Sequence, residues 1–249
     1  MTMRSCLMVA AAAILMTSTA NAAEIHVIAS PGVREAYNEL VPQFEKASGN
    51  RVTIVWDGVT NVAKRVAAGE AADVVILPAA QIEDLTKQGK LVAGSRVDLA
   101  KSGIGVAVRS GAPKPDLRSG EALKNALLKA KGISYSTGPS GVYIAQLIQK
   151  WGIGDAVKGK IVVAPTNTPV GEILLRGDAD IGFQQVSELI NIKGIDFLGP
   201  LPADVQETTV FAAALHKSAG TPEAAKALVK FLSAPAAAAA FKKAGMEPG

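Results

Sequence analysis

The chain has 249 residues, 49% of them hydrophobic and only 4% aromatic, with a formal net charge of +4 at neutral pH. That is apolar material for one large or two smaller cores. The mild basic excess is spread along the chain and aromatic rings for base stacking are scarce, so no nucleic-acid partner is expected.

The first 22 residues, MTMRSCLMVAAAAILMTSTANA, place Arg4 before an apolar run from Leu7 to Met16 and end on Ala20-Asn21-Ala22. This is the pattern of a secretory signal peptide, here cleaved after Ala22. The run is too short to span a bilayer, so the sequence predicts a soluble, exported, monomeric protein of the periplasm that begins near Ala23. Cys6, the only cysteine, leaves with the leader, and neither a disulfide nor a lipid-anchored cysteine is expected.

From Ile25 onward, short apolar runs alternate with amphipathic stretches. IHVIA (25–29) leads into a helix with Val33, Tyr37, Leu40 and Phe44 on one face. RVTIVW (51–56) leads into a helix closed by Gly69, and DVVIL (73–77) into one closed by Gly89. The alternation continues through IGVAV (104–108), a helix from Glu121, GISYS (132–136), a helix over 142–151, KIVVAP (160–165), a helix from Val170, and ADIGF (179–183) before QQVSELI. The tail, 221–245, reads as two helices separated by Ser233-Ala234-Pro235, since alanine has the highest helix propensity. The pattern predicts an α/β fold of mostly parallel sheet flanked by helices. GIGVAV (103–108) and TTVFAAAL (208–215) are the candidates to carry the chain between two lobes, with lobe 1 over 23–104 plus 208–249 and lobe 2 over 105–207.

Hydroxyl-rich and glycine-rich loops recur at the strand-to-helix junctions. ASPGV offers Ser30 ahead of Pro31, WDGVTN offers Thr60, STGPSG offers Ser136, Thr137 and Ser140, and PTNTPVG offers Thr166, Asn167 and Thr168. One capped helix start is ordinary. Four of them after strand carboxyl ends can converge on the crevice where open α/β sheets bind ligands, and helix N-termini favour negative groups. Arg34 sits in a first helical turn, where the dipole disfavours a cation; an anion nearby would account for it.

Enzyme motifs mostly fail. GDAVKGKI (154–161) has phosphate-loop spacing but ends in Ile161 and precedes a strand. His26 and His216 cannot form an H-x-x-x-H metal pair, and neither a G-x-S-x-G elbow nor a cysteine nucleophile is present. No metal or cofactor is expected. Proton transfer remains open to Tyr143, Tyr135, Glu35 or Asp57, with Tyr143 and Glu35 as the catalytic candidates.

The segments EIHVIASPGVREAYNELVPQFEKASGNRVTI, AKRVAAGEAADVVILPAAQIEDL, LRGDADIGFQQVSEL and ALVKFLSAPAAAAAFKKAGMEPG resemble the periplasmic solute-binding proteins of ABC importers, in the molybdate-binding-protein-like branch. The resemblance implies a two-lobed type II periplasmic-binding-protein fold with the ligand cleft between the lobes, and delivery of a small anion to a permease and ATPase in the inner membrane. Molybdate binders carry a serine where Gly32 stands, paired serines where Val59-Thr60 stand, and a tyrosine where Gln185 stands. Beside Arg34, Gln184 and Gln185 suit a small organic carboxylate, since amides and a guanidinium fork bind carboxylates in pairs. The expected ligand-binding residues are Ser30, Arg34, Thr60, Ser136, Thr137, Ser140, Thr168, Gln184 and Gln185. Some proteins similar to this branch are aconitate isomerases, which shift an allylic proton across a tricarboxylate, so turnover stands as the alternative to carriage.

Overall fold

The computed structural model describes residues 22–249. The expected signal peptide, save for Ala22, and Cys6 lie outside the described residues. In chain order the elements are β1 (Glu24–Ala29), α1 (Arg34–Ser48), β2 (Arg51–Trp56), α2 (Val59–Ala67), β3 (Val74–Pro78), α3 (Ala79–Lys87) and β4 (Val97–Arg109). There follow α4 (Gly120–Lys129), β5 (Ile133–Tyr135), α5 (Pro139–Lys150), α6 (Gly154–Val157), β6 (Ile161–Val163), α7 (Val170–Arg176) and β7 (Ile181–Gln185). The chain ends with α8 (Val186–Leu189), β8 (Ile195–Pro200), β9 (Thr208–Leu215), α9 (Pro222–Leu232), α10 (Ala238–Lys243) and β10 (Glu247–Pro248).

The strands form one mixed sheet in the order β2-β1-β3-β9-β4-β7-β5-β6, with β8 and β10 also pairing with β4. Parallel ladders lie at the two outer ends, where β1 pairs with β2 and β3 and β5 pairs with β6 and β7. The middle is antiparallel, because β9 runs against both β3 and β4, and β4 against β7 and β8. The long β4 is shared: residues 97–103 pair with β9 and residues 104–109 with β7 and β8.

Both faces of the sheet are covered, which is why the inner strands read as nearly unbroken apolar runs. Side chains alternate between faces along each strand. Ile25, Val27 and Ala29 of β1 join Tyr37, Leu40 and Phe44 of α1 and Leu228 and Leu232 of α9, while Ile28 faces Val62 and Val66 of α2 and Ile82 and Leu85 of α3. Across β4 the core is built from different residues. Ile104 and Val106 pack with Leu123, Ile144, Ile148 and Phe183 on one side, and Ala107 with Val170, Leu174 and Leu189 on the other.

Buried Asp73 ties the start of β3 to its neighbours: one carboxylate oxygen accepts from His26 N at 2.8 Å and the other from Thr221 N at 2.9 Å. α1 ends at Gly49 in the left-handed conformation, φ 74°, a stop that glycine makes without Cβ strain. Among the described residues no single helix is long and apolar enough to cross a membrane.

Candidate functional site

Five strands, β1 and β2 of one parallel ladder and β5, β6 and β7 of the other, end on one cavity of about 390 Å³. Its wall begins where each strand stops: Ser30 after β1, Trp56 and Gly58 at the end of β2, Ser136 to Ser140 after β5, Pro165 to Pro169 after β6, and Gln184 to Glu188 where β7 turns into α8. This is the crevice outside the carboxyl ends of the strands, where α/β folds bind ligands.

The structure brings Ser30, Arg34, Glu35, Ser136, Thr137, Ser140, Thr168, Gln184 and Gln185 to this one wall. It does not bring Thr60 or Tyr143 there. α2 starts at Val59 with Gly58 as its cap, so exposed Thr60 lies already inside the helix, off the cavity. Gly58 holds that place because its N–H donates to Asp57 Oδ1 at 2.7 Å and to Asn167 Oδ1 at 2.8 Å. Tyr143 packs against the core around β5, and its hydroxyl donates to the Val205 carbonyl at 3.0 Å. Burial raises its pKa, with the charge of Glu207 adding to it, and it is not among the residues that line the cavity.

The hydroxyls also act differently from helix caps. Ser119, remote from the cavity, caps α4 in the ordinary way, its side chain accepting from Ala122 N. None of the helix starts that open on the cavity after β1, β2, β5 and β6 has a side-chain cap. Ser136 Oγ instead accepts from Gly138 N at 3.2 Å and lies 3.2 Å from Ser140 Oγ. This tight loop requires Gly141, since a Cβ there would collide with the Ser136 carbonyl. Ser30 Oγ and Ser187 Oγ are buried on the cavity wall with no hydrogen-bond partner among the described residues. A buried hydroxyl without a partner costs free energy, and a polar ligand in the cavity removes that cost.

Charge on the wall comes from Arg34, Glu35 and Glu188. The Arg34 guanidinium stacks over Trp56 at 5.0 Å from the ring centroid. Stacking fixes the plane without consuming N–H donors, which leaves the fork available to a carboxylate. Gln184 and Gln185, adjacent in sequence, do different work. Gln184 Oε1 accepts from Val170 N at 2.9 Å, at the start of α7, and its Nε2 donates to Glu188 Oε1 at 3.0 Å. Gln185 turns toward β4 and β9: its oxygen accepts from Thr209 Oγ1 at 2.8 Å and its nitrogen donates to Ser102 O at 3.0 Å and Gly103 O at 3.2 Å. Gln185 therefore braces the cavity floor with its side chain.

The matching family model is that of the bacterial extracellular solute-binding proteins, over residues 25–247. The chain belongs to this family. An aconitate isomerase of a Pseudomonas species is 36% identical over 228 residues, covering 89% of this chain and 87% of that one. The molybdate-binding protein ModA of Azotobacter vinelandii is 28% identical over 249 residues, covering 96% of each. The solved periplasmic molybdate-binding protein of Azotobacter vinelandii superposes with a TM-score of 0.74 at 24% identity, covering 90% of this chain and 99% of that one. The architecture is thus the α/β fold of periplasmic binding proteins.

Among the wall residues of this solute-binding protein that escape a reading of the sequence are Ser187 and Glu188. Both sit on the four-residue helix α8, too short for helical periodicity to flag a face. The only signal was their place immediately after a strand end. Burial pushes the Glu188 carboxyl up to about 7, against the lowering effects of the Gln184 hydrogen bond and the Arg34 charge.

At the cavity rim a second cluster joins the loop after β2 to the loop after β6. Asn167 Nδ2 donates to Asp57 Oδ1 at 2.9 Å, and Asn61 Nδ2 donates to the same oxygen at 2.9 Å. Arg65 Nη1 lies 3.4 Å from Asp57 Oδ2. Burial would raise the Asp57 carboxyl, but hydrogen bonds from Asn61, Asn167, the Gly58 N–H and Arg65 outweigh it and hold it below the usual carboxylate range.

Proposed function

We propose that this protein is a periplasmic solute-binding protein that captures a small anion, best a small organic carboxylate, and delivers it to an ABC importer in the inner membrane. The observation that carries this reading is the wall itself: one stacked guanidinium, two buried unpartnered hydroxyls and a ring of helix starts around about 390 Å³. That volume suits a small organic molecule and is roomy for a single tetrahedral oxyanion. Arg34, Ser30, Ser136, Thr137, Ser140, Thr168 and Gln184 are the proposed ligand contacts. The proposed lobes are 23–104 with 208–249, and 105–207, joined through β4 and the segment entering β9. The ligand sits between them.

A thermal-melt panel on the mature protein tests this, with molybdate, tungstate, sulfate, phosphate, and di- and tricarboxylates including both aconitate isomers. A ligand at 100 times its dissociation constant adds about 2.7 kcal/mol of stability, which is a readable shift. The expected outcome is stabilisation by carboxylates. A shift with molybdate or tungstate alone replaces the carboxylate with an oxyanion and keeps the carrier; no shift with any anion overturns the site.

A second reading, conversion of the bound anion, is supported by the 36% identity to the aconitate isomerase over 89% of this chain. A carrier returns its ligand unchanged, whereas an isomerase yields product far beyond one equivalent.

A further inference from the structure

We propose that Glu188 is the catalytic acid–base residue of this cavity, carrying one proton between two carbons of an unsaturated di- or tricarboxylate held by Arg34. The inference rests on the carboxylate-binding reading above and names the residue and chemistry that would turn binding into turnover.

The geometry first singles out the residue by elimination. The described cavity wall holds no His, Lys, Tyr or Cys; its carboxyl groups are Glu35 and Glu188. Glu35 is exposed in the first turn of α1, while Glu188 is half-buried on α8, directly after β7. The Gln184 amide then fixes Glu188 in orientation. Because Gln184 Oε1 is committed to the Val170 N–H, the amide nitrogen must face Glu188, where it donates to Oε1. Among the described residues Glu188 Oε2 has no hydrogen-bond partner and the carboxyl makes no ion pair. One oxygen is held and the other is available to a proton on carbon. Gln184 is in this account a positioning residue.

Protonation suits the task as well. A carboxyl pushed up to about 7 by burial is about half ionised at neutral pH, so it can both take a proton and return one. The charged group acting on it is Arg34; Glu35 of α1 is the other charged residue of the wall, and β7, β4 and β8, packed against α8, add none.

The step balances without a co-reactant. Glu188 Oε2 removes a proton from a methylene flanked by a carboxylate and a carbon–carbon double bond. The C–H electron pair spreads over the three carbons of the resulting allyl anion and onto the carboxylate that Arg34 holds. Glu188 then gives the proton to the far carbon, and the double bond has moved by one position. Substrate and product are isomers, so nothing is oxidised, reduced or released. Electrostatic stabilisation of the developing charge falls to Arg34 and to the buried hydroxyls of Ser30 and Ser187.

The test incubates the mature protein with cis-aconitate and, separately, trans-aconitate in D₂O, followed by proton NMR, with affinities measured by calorimetry. Expected are interconversion at many turnovers and incorporation of less than one deuterium per turnover, since a single carboxyl returns part of the proton it took. Glu188→Gln should lose about 100-fold or more in turnover while binding either isomer within a few-fold of wild type. Glu188→Asp should retain partial activity, and wild-type kcat/KM should fall on the acid side of about pH 7. If Glu188→Gln fails to fold, Glu188→Asp decides: reduced turnover with a wild-type melt supports the assignment, and unchanged turnover overturns it. Unimpaired turnover in Glu188→Gln overturns it equally. Binding of either isomer with neither conversion nor deuterium exchange overturns the inference and leaves the carrier reading standing. Failure of both isomers to bind overturns the inference and removes aconitate from the carrier reading as well.

Discussion

Glu188 carries a cost that its fold must absorb, because a carboxyl near 7 in the folded chain titrates near 4.5 once unfolded. Below pH 4.5 both states are protonated and there is no penalty. Between 4.5 and 7 the unfolded chain releases the proton while the folded chain keeps it, so stability falls as pH rises, and above 7 the full penalty remains. A glutamine cannot ionise, yet its side-chain oxygen still accepts from Gln184. Glu188→Gln is therefore expected to match wild type at pH 4 and to exceed it by about 3 kcal/mol at pH 8, read by chemical denaturation of the unliganded protein at the two pH values. A constant difference between the two chains across that range would show that Glu188 is not desolvated in the fold. Such a gain in stability on removing a charged group is what a site held ready for a ligand predicts.

At the scale of elements, the alternation of apolar runs and amphipathic stretches makes most strands and helices legible, because both faces of the sheet are buried and each helix presents a regular apolar face. Two strands hide. The first seven residues of β4, VDLAKSG, mix Asp98, Lys101 and Ser102 with apolar residues, and their partner β9 lies more than a hundred residues further on; β8, with its mostly half-buried residues, carries no apolar run at all. The site was legible as loops after strand ends, since four of those loops announce themselves by hydroxyls and glycines. Thr60 misleads because Gly58, hydrogen-bonded across to Asn167, starts α2 before the threonine. Glu188 was illegible because its meaning lies in desolvation and in the side chain of Gln184, and neither is a local property. The turn from β1 into α1 shows a further tertiary cause. The space a Cβ would occupy at Gly32 is filled by the ring of Phe211 from β9, so a serine cannot stand there without displacing the ring. Gly32→Ser is expected to lower stability by about 1–3 kcal/mol through overpacking, measured by denaturation. Phe211→Leu should recover part of that loss in the double mutant, and strict additivity of the two changes would disprove the contact.

For the whole molecule, the proposed capture cycle needs something that favours the closed cavity, and the rim cluster of Asp57, Gly58 and Asn167 is placed to do so. It joins the loop after β2 to the loop after β6, whose strands lie at opposite ends of the sheet order. On β4, meanwhile, Gln206 holds both backbone groups of Ile104, accepting from its N–H and donating to its carbonyl at 3.0 Å each. Asn167 is the one non-glycine residue with positive φ, 68°, among the described residues. Asparagine tolerates this left-handed conformation better than most side chains, at a small cost, and here its amide makes two hydrogen bonds across the rim. Removing the amide should therefore speed ligand escape more than it slows capture, since affinity changes within one interface fall mainly on dissociation. Two lost hydrogen bonds, each worth about 0.5–1.5 kcal/mol, correspond to a dissociation rate raised about 5- to 150-fold. Asn167→Gly is the sharper variant, because glycine keeps the backbone conformation and deletes only the amide, whereas Asn167→Ala adds strain. Stopped-flow dissociation of a bound carboxylate should show both variants releasing faster than wild type. If Asn167→Gly releases at the wild-type rate while Asn167→Ala does not, the backbone conformation and not the amide bridge holds the rim. Acid should act in the same direction as the substitution: with Asp57 held below the usual carboxylate range by its partners, the bridge persists as pH falls to about 4 and weakens only below it. A release rate flat down to pH 5 and rising below pH 4 in wild type, but not in Asn167→Gly, would join the charge of Asp57 to the closing of the cavity.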